Sequence, residues 1–242
     1  MAAAAEATSK AAAAGGGAAT GGGVMGAAAA SSVALTAEAA AAAQKKAAKE
    51  QVEVVDDANR TVRVASRAEV RGQNLTHRST YVYVMTRDTE QYLVQRRTAI
   101  KDYCPSYLEV CAGGVMTPGE TYALNVEREV HEELGIPKAA LTLIDHGVFR
   151  YRDAKIDTFG GLWTALWAGK LSDLKLQPEE VAAIHLQTYA QVHAAVKAGE
   201  KYTPDSLHAL ELQRKAFAEW KAKQPAAAAV AVAAAATTAL DK

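Results

Sequence analysis

The chain has 242 residues, with 27 acidic and 27 basic side chains and a formal net charge of zero. That balance gives no push toward nucleic acid or anionic membrane surfaces. Two cysteines, Cys104 and Cys111, are too few for a disulfide framework, and no stretch is apolar and long enough to span a bilayer.

The hydrophobic fraction of 50% overstates the core-forming material, because much of it is alanine near the two ends. Alanine buries little area. Residues 1–50 are rich in alanine, with glycine runs at 15–17 and 21–23, and residues 223–242 are again mostly alanine. Both are expected to be disordered, which leaves one folding unit over 51–222. The N-terminal stretch carries Glu6 and Glu38 and no arginine before Arg60. That composition favours a plain extension over a plastid or mitochondrial transit peptide, and hence an intracellular, cytoplasmic setting.

Residues 52–55 and 61–64 are β-rich runs around Asp57-Ala58-Asn59 and predict a hairpin. Ser66 and Glu69 have capping-box spacing and open a short helix. Residues 79–86 alternate β-branched and aromatic side chains, Arg87-Asp88 turns the chain, and 91–97 forms the next strand. A loop over 98–107 precedes a short buried strand at 108–112, which runs into Gly113-Gly114. A helix over 121–134 stops at Gly135, with Pro137 beyond it. Residues 141–152 and 158–168 read as a hairpin, and 181–187 as a further strand. Thr188 caps a helix that ends at Gly199, and Thr203-Pro204-Asp205 starts the last one. Strands and helices interleave irregularly, which argues for an α/β fold with a mixed sheet and against a doubly wound parallel one.

Within the 121–134 helix, Glu129, Glu132 and Glu133 crowd into about one turn. Like charges at such spacings repel, so a positive partner is expected. Glu129 and Glu133 lie about 40° apart around the axis, with Glu132 on the adjoining edge. Their oxygens suit a hard divalent ion, Mg²⁺ or Mn²⁺. An ion pair between Arg128 and Glu120 would brace the preceding loop onto the helix. A solvated acidic face closed by a routine glycine cap explains any two of these glutamates. It explains less well the whole set of Gly114, Glu120, Arg128, Glu129, Glu132, Glu133 and Gly135. Upstream, Arg97 and Lys101 stand four apart and offer a grip for diphosphate oxygens. Cys111, His77, Trp163, Trp167, Tyr81 and Tyr83 read as structural, and His131 as facing solvent or substrate.

The segment from Gly114 through Glu120 to Arg128-Glu129-Val130-His131-Glu132-Glu133-Leu134-Gly135-Ile136 resembles the Nudix box at every fixed position. The resemblance extends over about residues 52–222. It implies an α/β/α sandwich and a metal-dependent hydrolase of a diphosphate linkage in a nucleoside diphosphate derivative or a similar small molecule. It also implies that Glu129 and Glu133 ligate Mg²⁺, with Glu132 a further ligand or an acid/base group. Many members recruit one more carboxylate from a later loop, and Glu180, beside Glu179, stands in a suitable place.

Stretches such as LVQRRTAIKDYCPSYLEVCAGGV and YTPDSLHAL look like the isopentenyl-diphosphate-isomerase-like branch of that superfamily. An isomerase reading fails on its own chemistry, which needs an acid on each face of the substrate. The isomerase cysteine position falls on Gly113, and no Glu-x-Glu pair occurs in the later strand. His77 matches one isomerase histidine, but it is the first histidine in the chain. A prenyl-diphosphate isomerase and a non-catalytic diphosphate-binding module are therefore the alternatives to a hydrolase. Selectivity is expected in the loops 98–107 and 153–157.

Overall fold

The structure is a computed structural model, which describes residues 30–224. The expectations for residues 1–29 and 225–242 lie outside the described residues. Nine strands and five α-helices are described. The strands are β1 (Ala30–Ser31), β2 (Gln51–Val55), β3 (Thr61–Ser66), β4 (His77–Thr86), β5 (Tyr92–Arg97), β6 (Leu108–Glu109), β7 (Leu141–Arg152), β8 (Asp157–Trp167) and β9 (Val181–Gln187). The helices are α1 (Ala37–Lys49), α2 (Arg67–Gln73), α3 (Tyr122–Leu134), α4 (Tyr189–Lys197) and α5 (Pro204–Ala222).

The strands form one mixed sheet with the path β1-β9-β5-β4-β2-β3, and β8 and β7 continue from the other side of β4. β4 and β8 run parallel in unbroken register, from His77 opposite Thr158 to Thr86 opposite Trp167. β7 and β8 are an antiparallel hairpin, as are β2 and β3.

Alternation along β4 builds the two cores, because neighbouring side chains of a strand point to opposite faces. Tyr81, Tyr83 and Met85 pack with Val192 and Ala195 of α4 and Leu210 and Phe217 of α5. Val82 and Val84 pack on the other face with Val126, Val130 and Leu134 of α3, joined by Trp163 and Trp167 of β8. The result is the expected α/β/α sandwich. Among the described residues no helix is long and apolar enough to cross a membrane.

Two local readings are corrected. The expectation of disorder up to residue 50 fails for Ala37–Lys49, which is the helix α1. Alanine has the highest helix propensity. Thr36 caps the start by accepting from Ala39 N, Glu38 lies in the first turn, and Lys46 and Lys49 lie in the last. The buried strand expected at 108–112 shortens to β6, after which Val82 N donates to Ala112 O and Thr80 N to Gly114 O. Those bonds carry the Gly113-Gly114 turn alongside β4 and fix it beneath α3.

Candidate active site

α3 starts at Thr121, whose hydroxyl accepts from Leu124 N, and ends at Gly135 in the left-handed conformation, with φ 73°. A β-carbon at residue 135 would also meet Lys175 Cβ at 2.7 Å, so glycine is required there for space as well as for conformation. The helix buries Val126, Val130 and Leu134 against the sheet, and this turns Glu133 inward, where it is 3% exposed. Glu129, one turn earlier, points at the glycine turn. A β-carbon at residue 114 would lie 2.6 Å from Glu129 Oε1, so any other residue there would displace this carboxylate.

Arg128 supplies the positive partner that the crowded glutamates required. Its Nε donates to Glu120 Oε1 at 2.9 Å and its Nη2 to Glu120 Oε2 at 3.1 Å. The same guanidinium lies 2.9 Å from Glu129 Oε1 and donates through Nη1 to Glu132 Oε2 at 3.0 Å. Glu120 also accepts from Thr117 N and from Asn125 Nδ2. Burial opposes ionisation of Glu120, but Arg128, Asn125 and the Thr117 amide outweigh it and hold the carboxyl down at about 2. The brace between Arg128 and Glu120 is therefore present as expected.

Glu133 stands outside this network. It accepts from Gly113 N at 3.3 Å and from Gln95 Nε2 at 3.5 Å. Among the described residues no lysine, arginine or histidine nitrogen forms an ion pair with it. Burial, and then the charge of Glu129, push the Glu133 carboxyl up to about 8. Burial raises Glu129 as well, although Arg128 opposes the shift. The donors are hard oxygens, and of the two buried carboxylates Glu129 has Arg128 against it while Glu133 has no ion-paired cation among the described residues; such a set fits a hard divalent cation. Among the described residues, no three His, Cys, Asp or Glu side chains are gathered as a closed ligand set. Glu132 is turned toward Arg128, with a side chain 47% exposed.

These carboxylates floor a cleft of about 660 Å³, and basic residues line it as well. Lys101 lies in the cleft, ion-paired with Glu180. Gln177 N donates to Glu133 O at 3.0 Å, which ties the segment before Glu180 to the end of α3. Burial, then Arg97 and Arg67, lower Lys101 to about 8. Arg97 is turned inward. Its Nη1 donates to Glu109 and its Nε to Tyr103 O at 3.1 Å, so its guanidinium is engaged within the wall of the cleft.

Sequence reasoning missed several lining residues. Glu109 is a lone charge in an apolar run, a signal that was available. Arg67 and Arg71 are four apart on α2, on one helical face. Arg67 pairs with Asp102 at 2.8 Å and Glu50 at 2.9 Å. Asp205 is buried and accepts from Tyr81 Oη at 2.9 Å and Tyr103 Oη at 3.2 Å. Both expected selectivity loops reach the cleft, through Lys101 and Tyr103 from the first and Ile156 from the second.

The residues read as structural behave so. Cys111 is buried, and burial raises its thiol. His77 is buried with Nδ1 2.9 Å from Leu75 O. Burial and then Arg71 lower it to about 4. Trp163 and Trp167 are core residues, and His131 is exposed.

A sandwich that presents a braced glutamate helix to a cleft lined by both carboxylates and cations is an architecture suited to phosphate-ester and anhydride chemistry. The NUDIX domain family matches residues 75–208. An uncharacterized Nudix hydrolase of Yersinia pestis is 37% identical over 163 residues, covering 67% of this chain and 85% of that protein. The uncharacterized Nudix hydrolase YfcD of Escherichia coli K12 is 36% identical over 166 residues, covering 69% and 87%. The crystal structure of DR0079 from Deinococcus radiodurans superposes with a TM-score of 0.58 at 22% identity, over 69% of this chain and 99% of that one. The chain belongs to the Nudix family and is one of its hydrolases.

Proposed function

We propose that this hydrolase cleaves a diphosphate linkage in a nucleoside diphosphate derivative or similar small molecule, with Mg²⁺ or Mn²⁺ held by Glu129 and Glu133 and supported by Glu132. The observation that carries this reading is Glu133, a buried carboxylate with no cation against it. A bound ion would supply the missing charge, Lewis acidity toward a diphosphate oxygen and a lowered pKa for water.

The chain's own groups do the rest. Lys101, with Arg67 beside it, faces the cleft and balances the charge of the diphosphate. Arg97 also lines the cleft and adds to that positive field, and its bond to Glu109 fixes the wall on which the substrate rests. A water attacks one phosphorus, the P–O bond of the anhydride breaks, and the water's proton passes to a carboxylate. Glu180 is favoured for that proton, because it lies in the cleft and is held by Lys101. Glu132, more exposed and engaged by Arg128, is the second candidate.

The test is a panel of diphosphates, with nucleotide sugars, dinucleoside polyphosphates and prenyl diphosphates among them, assayed after EDTA treatment and after Mg²⁺ or Mn²⁺ is returned. Hydrolysis that disappears with EDTA and returns with the ion is expected. Full turnover in EDTA, or an allylic product from isopentenyl diphosphate without hydrolysis, would overturn the reading.

A further inference from the structure

Helix α1 lies ahead of residues 75–208, the part matched by the family. It buries none of its own residues, so core packing does not account for its position. It is nonetheless fastened beside the cleft. Gln44 Nε2 donates to Ile100 O at 3.1 Å, and Arg67 N donates to Glu50 O, just past the helix end, at 2.7 Å. The inward face of α1, with Ala39, Ala42, Ala43 and Ala47, lines a second cavity of about 650 Å³. Lys46, Arg67, Arg71 and Lys101 line both this cavity and the glutamate cleft. A rim of these four cations, with Glu50, Glu180 and Gln177 among them, thus divides the two spaces.

These cations are not equally engaged. Arg67 is held by Glu50 and Asp102, and Lys101 by Glu180. Arg71 lies over the Tyr103 ring and approaches Asp102 loosely at 3.6 Å, but its Nε and Nη1 are buried without a hydrogen-bond partner. Among the described residues no carboxylate forms an ion pair with Lys46. A buried guanidinium with unused donors is costly unless an acceptor reaches it. The cavity beside it has the volume of an ordinary small-molecule site.

We propose that α1 is a wall of the substrate site, and that Lys46 and Arg71 bind an anionic phosphoryl group lying beyond the diphosphate at the glutamates. This rests on the diphosphate reading above and deepens it. The preferred substrate carries at least three phosphoryl groups in line, or a diphosphate with a further phosphate on its other half. Selectivity for that group comes from two helices, α1 and α2, ahead of the matched residues 75–208.

The probes are inorganic pyrophosphate and tripolyphosphate, titrated calorimetrically into the full chain in EDTA. Tripolyphosphate is expected to bind about tenfold or more tightly than pyrophosphate, the effect of one well-formed contact. Lys46→Ala and Arg71→Gln should each remove most of that advantage and leave pyrophosphate affinity within about twofold. Lys46→Arg should retain it, and Lys215→Ala, on α5, should leave it unchanged. Circular dichroism establishes that each variant is folded. Equal affinity for the two anions in the unaltered chain overturns the proposal. So does an unchanged ratio in Lys46→Ala, or an equal loss in Lys215→Ala, which would mark a general charge effect. None of these titrations needs metal or turnover, so their outcome is separate from that of the hydrolysis assay.

Discussion

Gly114→Ala isolates the geometry on which the site depends. Residue 114 is not in the left-handed region, so alanine meets no backbone strain there. The added methyl would instead sit 2.6 Å from Glu129 Oε1, 2.7 Å from its Cδ and 2.8 Å from Oε2. Ordinary contact begins near 3.4 Å, so the carboxylate must retreat by about 0.8 Å. A misplacement of about 1 Å at a reacting centre costs about a hundredfold in rate. We expect kcat/KM to fall by roughly that factor, with weaker metal binding. Thermal stability should change by no more than a few degrees, because Val126, Val130 and Leu134 stay packed. Steady-state kinetics and a thermal melt on the same preparation decide the matter. A Gly114→Ala enzyme with unaltered kcat/KM would falsify the placement of Glu129 at the reacting centre.

Other expectations follow from the same geometry. Glu133, raised to about 8, must lose its proton to accept a cation, so metal affinity should climb about tenfold per pH unit below about 8 and level off above it. A flat calorimetric profile from pH 6 to 9 would count against that. His77 is lowered to about 4 in the folded chain against an ordinary 6.5, so between these values the unfolded chain binds the extra proton. Its contribution is therefore full above about 6.5 and lost as pH falls toward 4, roughly 3 kcal/mol in all. Urea unfolding at pH 7.5 and 5 should show a smaller pH dependence in His77→Leu, and an unchanged one contradicts the assignment. Arg128→Ala leaves Glu120, Glu129 and Glu132 without their common partner, and should cost about 1–3 kcal/mol together with a large loss of activity. An active variant of native stability would show that the brace is dispensable.

What the sequence made legible was local. Thr121, Gly135 and the apolar stripe at Val126, Val130 and Leu134 specify α3 by capping and periodicity, and the box fixes which face its glutamates occupy. The β2–β3 and β7–β8 hairpins were readable for the same reason, since their pairing is set by a nearby turn. The parallel register of β4 with β8 was not, because nothing near His77 in the chain marks Thr158 as its neighbour. Arg97 was read as a grip for diphosphate oxygens, and it lines the cleft with its guanidinium held in the wall. Its inward turn depends on Glu109, which reaches it only once β5 and β6 pair through Gln95 opposite Glu109. Alanine content misled the reading of α1, because a run that lacks core-forming side chains can still be a helix when Thr36 and Gln44 fasten it. Arg67 and Arg71 went unassigned because the sequence pattern shows the face of α2 but not what that face meets.

The central claim is that the buried pair Glu129 and Glu133 holds the ion on which hydrolysis depends. The most direct measurement is Mn²⁺ binding, by calorimetry or electron paramagnetic resonance, to the full chain and to Glu133→Gln, with turnover of an active diphosphate followed in parallel. Glutamine keeps the shape and removes the charge. We predict that affinity falls about a hundredfold and that metal-dependent turnover is lost while the fold is kept. Unchanged Mn²⁺ affinity and unchanged metal-dependent turnover in Glu133→Gln would contradict the account.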